Sequence, residues 1–150
     1  MSVLDSIVEA WFSKAVEIYP QPAQEGMRQI SDRFRNPVAF SLRESLAALV
    51  NELTGDMSIS HVSEALDAVL RVRAVQNCTP DEAIAFTFRL GDVIREQHAE
   101  TLFPDIEQRI SSLKDCAREQ YAACRKDIAQ IRSREGRRLR ALEPWMRQAQ

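Results

Sequence analysis

Arg73 and Gln76 are the side chains whose types and spacing best suit ligand binding in this 150-residue chain. They lie three positions apart, so on a helix they share one face. A guanidinium beside an amide can hold a small anion or a carboxylate. Together with Phe86, they are predicted to line a small-molecule pocket. The structural alternative is an ion pair between Arg73 and Asp67 or Glu96 that locks two helices together.

Two histidines, His61 and His98, raise the question of haem binding. A haem-ligating histidine needs an apolar pocket. His98 lies in a polar stretch that reads as a helix end, and His61 falls in the first helical turn after a serine. We therefore expect both histidines on the surface, and we predict no cofactor.

Three cysteines, Cys78, Cys116 and Cys124, offer metal or redox chemistry. An odd number without framework spacing indicates reduced thiols and a cytoplasmic protein. Cys116 and Cys124 are about 80° apart around a helix and two turns apart along it, so they cannot form a disulfide there. No CxxC pair occurs and no histidine is near in sequence. The prediction is structural thiols and no metal site, with a disulfide across a dimer as the alternative.

A basic cluster dominates the C-terminal end. Residues 125–147 contain eight basic and three acidic side chains, a net charge of +5, which leaves −7 on the remainder of a chain whose total is −2. Such a patch could meet nucleic acid. Because the chain as a whole is mildly acidic, we instead expect a solvated face or an acidic protein partner, and no nucleic acid.

The elements that position these groups are predicted to be helices. Apolar residues recur at spacings of three and four in about six stretches, which is typical of amphipathic helices. A hydrophobic content of 45% and a charged content of 28% are ordinary for a folded protein. No apolar run approaches the ~20 residues that a membrane span needs, and the acidic N-terminus does not suit a signal peptide. The prediction is one all-α domain over residues 1–150.

The firmest local signal lies between the fourth and fifth helices. Thr79 is predicted to cap the fifth helix, with Pro80 at its first position and Glu82 completing a capping box. Earlier in the chain, Gly55 is predicted to end the third helix in the left-handed conformation. The second helix is predicted over residues 24–34, with the side chains of Met27, Ile30 and Phe34 turned inward.

Hydrophobic side chains suggest where a second copy or a partner would bind. Trp11, in a first helix predicted over residues 4–19, is predicted to anchor either the core or a dimer interface. The last helix is predicted to run from about Pro104 to Leu142 and to end at Pro144. Its second half, residues 125–150, is predicted to project or to dimerise through the side chains of Ile128, Ile131 and Leu139.

Two stretches carry a family resemblance. One is Arg71-Val72-Arg73-Ala74-Val75-Gln76, followed by Thr79-Pro80 and an aromatic helix up to Glu96; the other is Asp32-Arg33-Phe34 with Asn36-Pro37. In these stretches the chain resembles the N-terminal domain family of the RsbT co-antagonist RsbRD, bacterial signalling proteins related to stressosome components. The resemblance implies a haem-free globin-like arrangement or a simpler helix bundle. Family members often continue into a STAS domain, so a stand-alone version is expected here.

The function predicted from the sequence is therefore non-enzymatic. General acid–base or nucleophilic catalysis needs a positioned set of side chains, and no such set can be identified. We predict a cytoplasmic sensory or protein-interaction domain that dimerises and docks on partners. The alternative is an accessory subunit or chaperone of a larger cytoplasmic or membrane-associated redox enzyme complex.

Overall fold

The structure, a computed structural model, describes residues 2–29 and 34–148 of the chain. Six α-helices contain most of these residues: α1 (Val3–Ala15), α2 (Gln21–Gln29), α3 (Pro37–Thr54), α4 (Ile59–Val75), α5 (Pro80–Glu96) and α6 (Ile106–Gln148). Two 3₁₀ turns, Val16–Ile18 and Glu100–Leu102, lie between helices, and the described part contains no strand. The predicted all-α fold of about six helices with a long last helix is confirmed.

The helices enclose one apolar core. Helix α1 packs on α3 and α5, and α4 packs on α3 and α6, while α5 also contacts α6. The apolar faces predicted from the three-and-four spacing point into this core. Its largest fully buried apolar side chains include Ile7, Trp11, Phe12, Leu46, Leu49, Leu53, Leu66, Leu70, Ile84, Phe86 and Tyr121.

The capping box at the start of α5 is confirmed. The Thr79 hydroxyl accepts from the Glu82 backbone N–H at 3.2 Å, and the Glu82 carboxylate accepts from the Thr79 N–H at 2.9 Å. Two hydrogen bonds with Thr79 lower the pKa of Glu82, and the bond with the Thr79 backbone has a larger effect than the bond with its side chain. This cap fixes the corner, defined here as residues 76–79 between α4 and α5.

Thr79→Ala is expected to reduce the free energy of unfolding by about 1 kcal/mol, because one N–H at the start of α5 loses its acceptor. Urea denaturation followed by circular dichroism measures this difference. Thr79→Ser keeps the hydroxyl and serves as the control, with a loss below about 0.5 kcal/mol. Equal losses in both variants would contradict the capping role.

The second helix differs from its prediction. Helix α2 runs from Gln21 to Gln29, and Phe34 lies in a turn with its side chain 81% exposed, so the inward placement of Phe34 is wrong. Asn36 caps the next helix: its side chain accepts from the Ala39 N–H at 3.1 Å, so α3 begins at Pro37 and Phe34 lies in the turn before it. Ile30 and the Asp32-Arg33 pair lie outside the described residues.

Two helix-end predictions are also wrong. Gly55 has φ −111° and the left-handed conformation is taken by Met57, at φ 54°. The Glu52 carbonyl accepts from the N–H groups of both residues, which moves the turn two positions on. Pro144 lies inside α6, which continues to Gln148. An interior proline removes one backbone donor and crowds the carbonyl four residues earlier, yet α6 has one more turn after Pro144.

Among the described helices, none combines the length and the apolar character that crossing a membrane requires.

Candidate functional site

The Arg73 guanidinium is the central polar group of the interior. It lies near the end of α4 with its side chain 1% exposed. Its Nη2 donates to the Ala15 carbonyl at 3.0 Å, and its Nη1 donates to the carbonyls of Ala83 and Glu82 at 3.3 and 3.4 Å. One side chain therefore joins the end of α1, the end of α4 and the start of α5.

The charge of Arg73 is stabilised by dipoles and by an aromatic ring. Ala15 is the last residue of α1, where free carbonyls form the negative end of the helix dipole. The Phe86 ring centre lies 5.1 Å from the guanidinium carbon, within the range of a cation–π contact. Burial lowers the pKa of Arg73. Neighbouring groups raise it in part, Tyr19 more than the others. An arginine stays protonated in a protein, so the site holds a positive charge.

Neither ion pair considered for Arg73 forms. Asp67 accepts from Arg71 at 2.8 Å, and Glu96 lies 3.5 Å from Lys14. Arg73 instead donates to backbone carbonyls, and the Tyr19 hydroxyl and the Phe86 ring also contact its guanidinium.

The three residues of the predicted ligand pocket are only partly brought together. Arg73 and the buried Phe86 are in contact, whereas Gln76 is exposed and its Oε1 accepts from the Tyr19 hydroxyl at 3.1 Å. The cavity beside Arg73 is about 10 Å³, the size of roughly one water molecule. An open groove of about 340 Å³ lies next to it and is lined by Ile18, Tyr19, Gln76, Asn77, Cys78 and Glu82. A small-molecule site stays a prediction, with Gln76 rather than Arg73 facing the groove.

Helix α6 holds the corner from the other side. The Tyr121 hydroxyl donates to the Cys78 carbonyl, and Arg125 Nη1 donates to the same oxygen at 2.9 Å. Arg132 Nη2 donates to the Val75 carbonyl at 3.3 Å. The three donors are four and seven positions apart and so share a face of α6. From the sequence we expected the arginines on a solvated face or against an acidic protein partner, and we did not predict this clamp, although the spacing of its three donors was visible.

The last part of α6, residues 128–148, is called the tail here; it contains Arg132, the last donor of the clamp. The core face of α6, with Leu113, Ala117, Tyr121 and Cys124, leads into the tail at Ile128 and Ile131. Ile128 is half-buried at the edge of the core, and the next apolar side chains are exposed. The apolar stripe of the tail consists of Ile128, Ile131 (56% exposed), Leu139 (52%), Leu142 (44%), Trp145 (72%) and Met146 (52%).

Trp11 lies in the core rather than on the surface. Its side chain is 0% exposed, its Nε1 donates to the Phe86 carbonyl at 2.7 Å, and its ring centre is 5.9 Å from that of Phe86. Of the two roles predicted for Trp11, the geometry supports the core anchor, and we propose no interface role for it.

The remaining candidate groups have ordinary surroundings. His61 and His98 are exposed, as predicted, and His61 Nδ1 lies 3.0 Å from Glu52. The three cysteines are unpaired, and burial raises the pKa of the Cys78 and Cys124 thiols, which disfavours the reactive thiolate. No group of three potential metal ligands occurs within residues 2–29 and 34–148.

Comparison with known families identifies a match over most of the chain. Residues 5–135 match the family model described as the RsbT co-antagonist protein rsbRD N-terminal domain. The matched range includes the corner, the Arg73 site and α6 as far as the first part of the tail. No curated protein and no solved structure matches the chain.

Proposed function

Because this chain belongs to the family of RsbT co-antagonist RsbRD N-terminal domains, which implies stressosome-related signalling, we propose that it is a non-enzymatic sensory and interaction domain. It acts by pairing with a second copy and by docking on protein partners. The family match gives no support to the alternative of an accessory subunit of a redox enzyme. The cytoplasmic location inferred from the unpaired cysteines stays a prediction.

The observation that carries this proposal is the apolar stripe of the tail. The face of α6 that packs on α4 and α5 is exposed from Ile131 onward. Large apolar side chains exposed along one helix face are typical of a protein–protein contact. Fully burying one isoleucine or leucine contributes about 1.5–3 kcal/mol. Burying several such side chains from two copies can offset the roughly 4–15 kcal/mol cost of association and leave about 8 kcal/mol, the free energy of a micromolar dimer.

The corner supplies a route from a signal to the tail. Arg73 joins α1, α4 and α5 from inside, while Tyr121, Arg125 and Arg132 join the same corner to α6. A ligand in the groove at Gln76, or a partner bound at the corner, changes the position of α6 if it binds one arrangement of the corner better than another. The basic side chains around the stripe are available for an acidic partner.

Ile131→Glu tests the role of the stripe, because it replaces one of its exposed apolar side chains with a charge. We expect the dissociation constant of the dimer to rise at least about tenfold, equivalent to about 1.4 kcal/mol. Sedimentation equilibrium over a concentration series measures it.

Ser133→Glu is the matched control. Ser133 is exposed and lies two positions away, about 200° around the helix from Ile131, so the same charge falls on the opposite face. Its dissociation constant is expected to stay within about twofold of the unmodified protein. Equal effects of the two substitutions would exclude the stripe as the interface.

A further inference from the structure

One face of the tail follows the heptad pattern of a coiled coil, and the two positions at its centre are charged. Positions alternately three and four apart, the spacing of a coiled-coil seam, fall at Ile128, Ile131, Glu135, Arg138, Leu142 and Trp145. The outer four positions are apolar and the inner two carry opposite charges. All six lie on α6, and Leu139 and Met146 widen the apolar face on one side.

The charged centre distinguishes between the two ways in which two tails can pair. In a parallel pair each residue lies beside its own copy, so Glu135 would face Glu135 and Arg138 would face Arg138. Like charges side by side in an interface oppose association. The two charged positions therefore disfavour a parallel pair, although the four apolar positions would fit one.

An antiparallel pair removes this conflict. We propose that, in the homodimer proposed above, the two tails run antiparallel about a two-fold axis that passes between Glu135 and Arg138. Glu135 of each copy then faces Arg138 of the other. The same register places Ile131 against Leu142 and Ile128 against Trp145, so every apolar seam position meets an apolar one.

The geometry within one chain suits this pairing. Arg138 Nη1 lies 3.9 Å from the Glu135 carboxylate of its own helix, and the two side chains are 74% and 57% exposed. Because both side chains are mostly exposed, they can turn from this contact toward a second copy. The four charges of the dimer then alternate in sign. Because the interface uses one patch on both copies, it is self-complementary, as a two-fold dimer requires.

The antiparallel register also places the end of each tail next to the helices α1–α5 of the other copy. Trp145, 72% exposed, would cover Ile128 of the second copy, which is half-buried at the edge of the core. Arg132, one turn beyond Ile128, donates to the Val75 carbonyl at the end of α4. The far end of one tail thus reaches the neighbourhood of the second copy's corner, which places the dimer contact next to the clamp.

Charge exchange at the seam centre tests the register. Glu135→Arg alone, or Arg138→Glu alone, makes all four central charges alike, and the dissociation constant is expected to rise at least about tenfold. The double variant Glu135→Arg/Arg138→Glu restores the pairing and is expected to return to within about threefold of the unmodified protein. Circular dichroism checks that the single variants keep their helix. In a parallel dimer the central layers hold like charges in every variant, so constant values throughout would overturn the proposal.

Spin-label distances separate a failure of the register from a failure of the dimer. In the full chain, with its three cysteines replaced by serine or alanine, one label is attached at Arg137→Cys or at Ala129→Cys, two exposed positions of the tail. The antiparallel register offsets the two copies along the axis by roughly 1.5 Å at position 137 and by roughly 22 Å at position 129. A clearly longer distance at 129 supports the proposal. Equal distances at both positions would overturn the register alone, whereas a protein that stays monomeric would overturn the proposed homodimer as well.

Discussion

Arg73→Ala is expected to lower the free energy of unfolding by about 4 kcal/mol. The substitution removes a buried side chain that bridges three helices, together with charged hydrogen bonds to the carbonyls of Ala15, Glu82 and Ala83. Hydrogen bonds to a charged group contribute about 1.5–3 kcal/mol each, and the cavity left by the side chain adds to the loss. Urea denaturation measures the change, and the melting temperature is expected to fall by about 10 °C.

Arg71→Ala is the matched control for this variant. Arg71 is two positions away in the same helix, but its side chain is 48% exposed and pairs with Asp67 and Asp127 at the surface. Exposed ion pairs contribute about 0–1 kcal/mol, so we expect a loss within that range. Arg73→Lys is expected to be almost as harmful as Arg73→Ala, because an ammonium group cannot reach several carbonyls in a fixed plane. Similar losses for Arg73→Ala and Arg71→Ala would contradict the bridging role of Arg73.

Trp11→Ala is expected to lower the free energy of unfolding by about 4 kcal/mol, because it empties the space between α1 and Phe86. Trp11→Phe keeps most of that volume and isolates the hydrogen bond from Nε1 to the Phe86 carbonyl, for which about 1 kcal/mol is expected. Chemical denaturation measures both values. Sedimentation of Trp11→Phe is expected to give an unchanged dissociation constant, because the side chain has no exposed surface.

The second tryptophan provides the reciprocal test. Trp145 is 72% exposed on the tail. Trp145→Ala is therefore expected to change the free energy of unfolding by less than about 0.5 kcal/mol, while it raises the dissociation constant of the dimer. If Trp11→Phe weakened the dimer and Trp145→Ala did not, the assignment of the core and interface roles would be reversed.

Local chemistry explains which parts of the fold the sequence predicted. The signals around Thr79, Pro80 and Glu82 act within one helical turn, so they specify the start of α5 without help from distant residues. Phe34 and Pro144 show the limit of such signals. Phe34 fits an inward helical spacing, but it lies in a turn two residues before the Asn36 cap of α3. Pro144 normally ends a helix, yet α6 continues past it.

The Arg73 site could be predicted only in part. Its residue type and its position near the corner were visible, but its acceptors are backbone carbonyls of α1 and α5. Carbonyls are the same in every residue, so a sequence pattern cannot show which of them a fold brings together. Ala15 is 58 positions from Arg73 along the chain. A search for side-chain partners therefore favoured Asp67 and Glu96, which instead pair with Arg71 and Lys14.

The mass of the purified full chain in solution tests the central proposal, self-association through the tail, most directly. Light scattering across roughly 1–100 µM covers the affinity range expected for the stripe. We expect a mass that rises with concentration to about twice the 17.1 kDa of one chain. A mass that stays at 17.1 kDa over the whole range would contradict self-association through the tail, because the apolar stripe would then have no second copy as its partner.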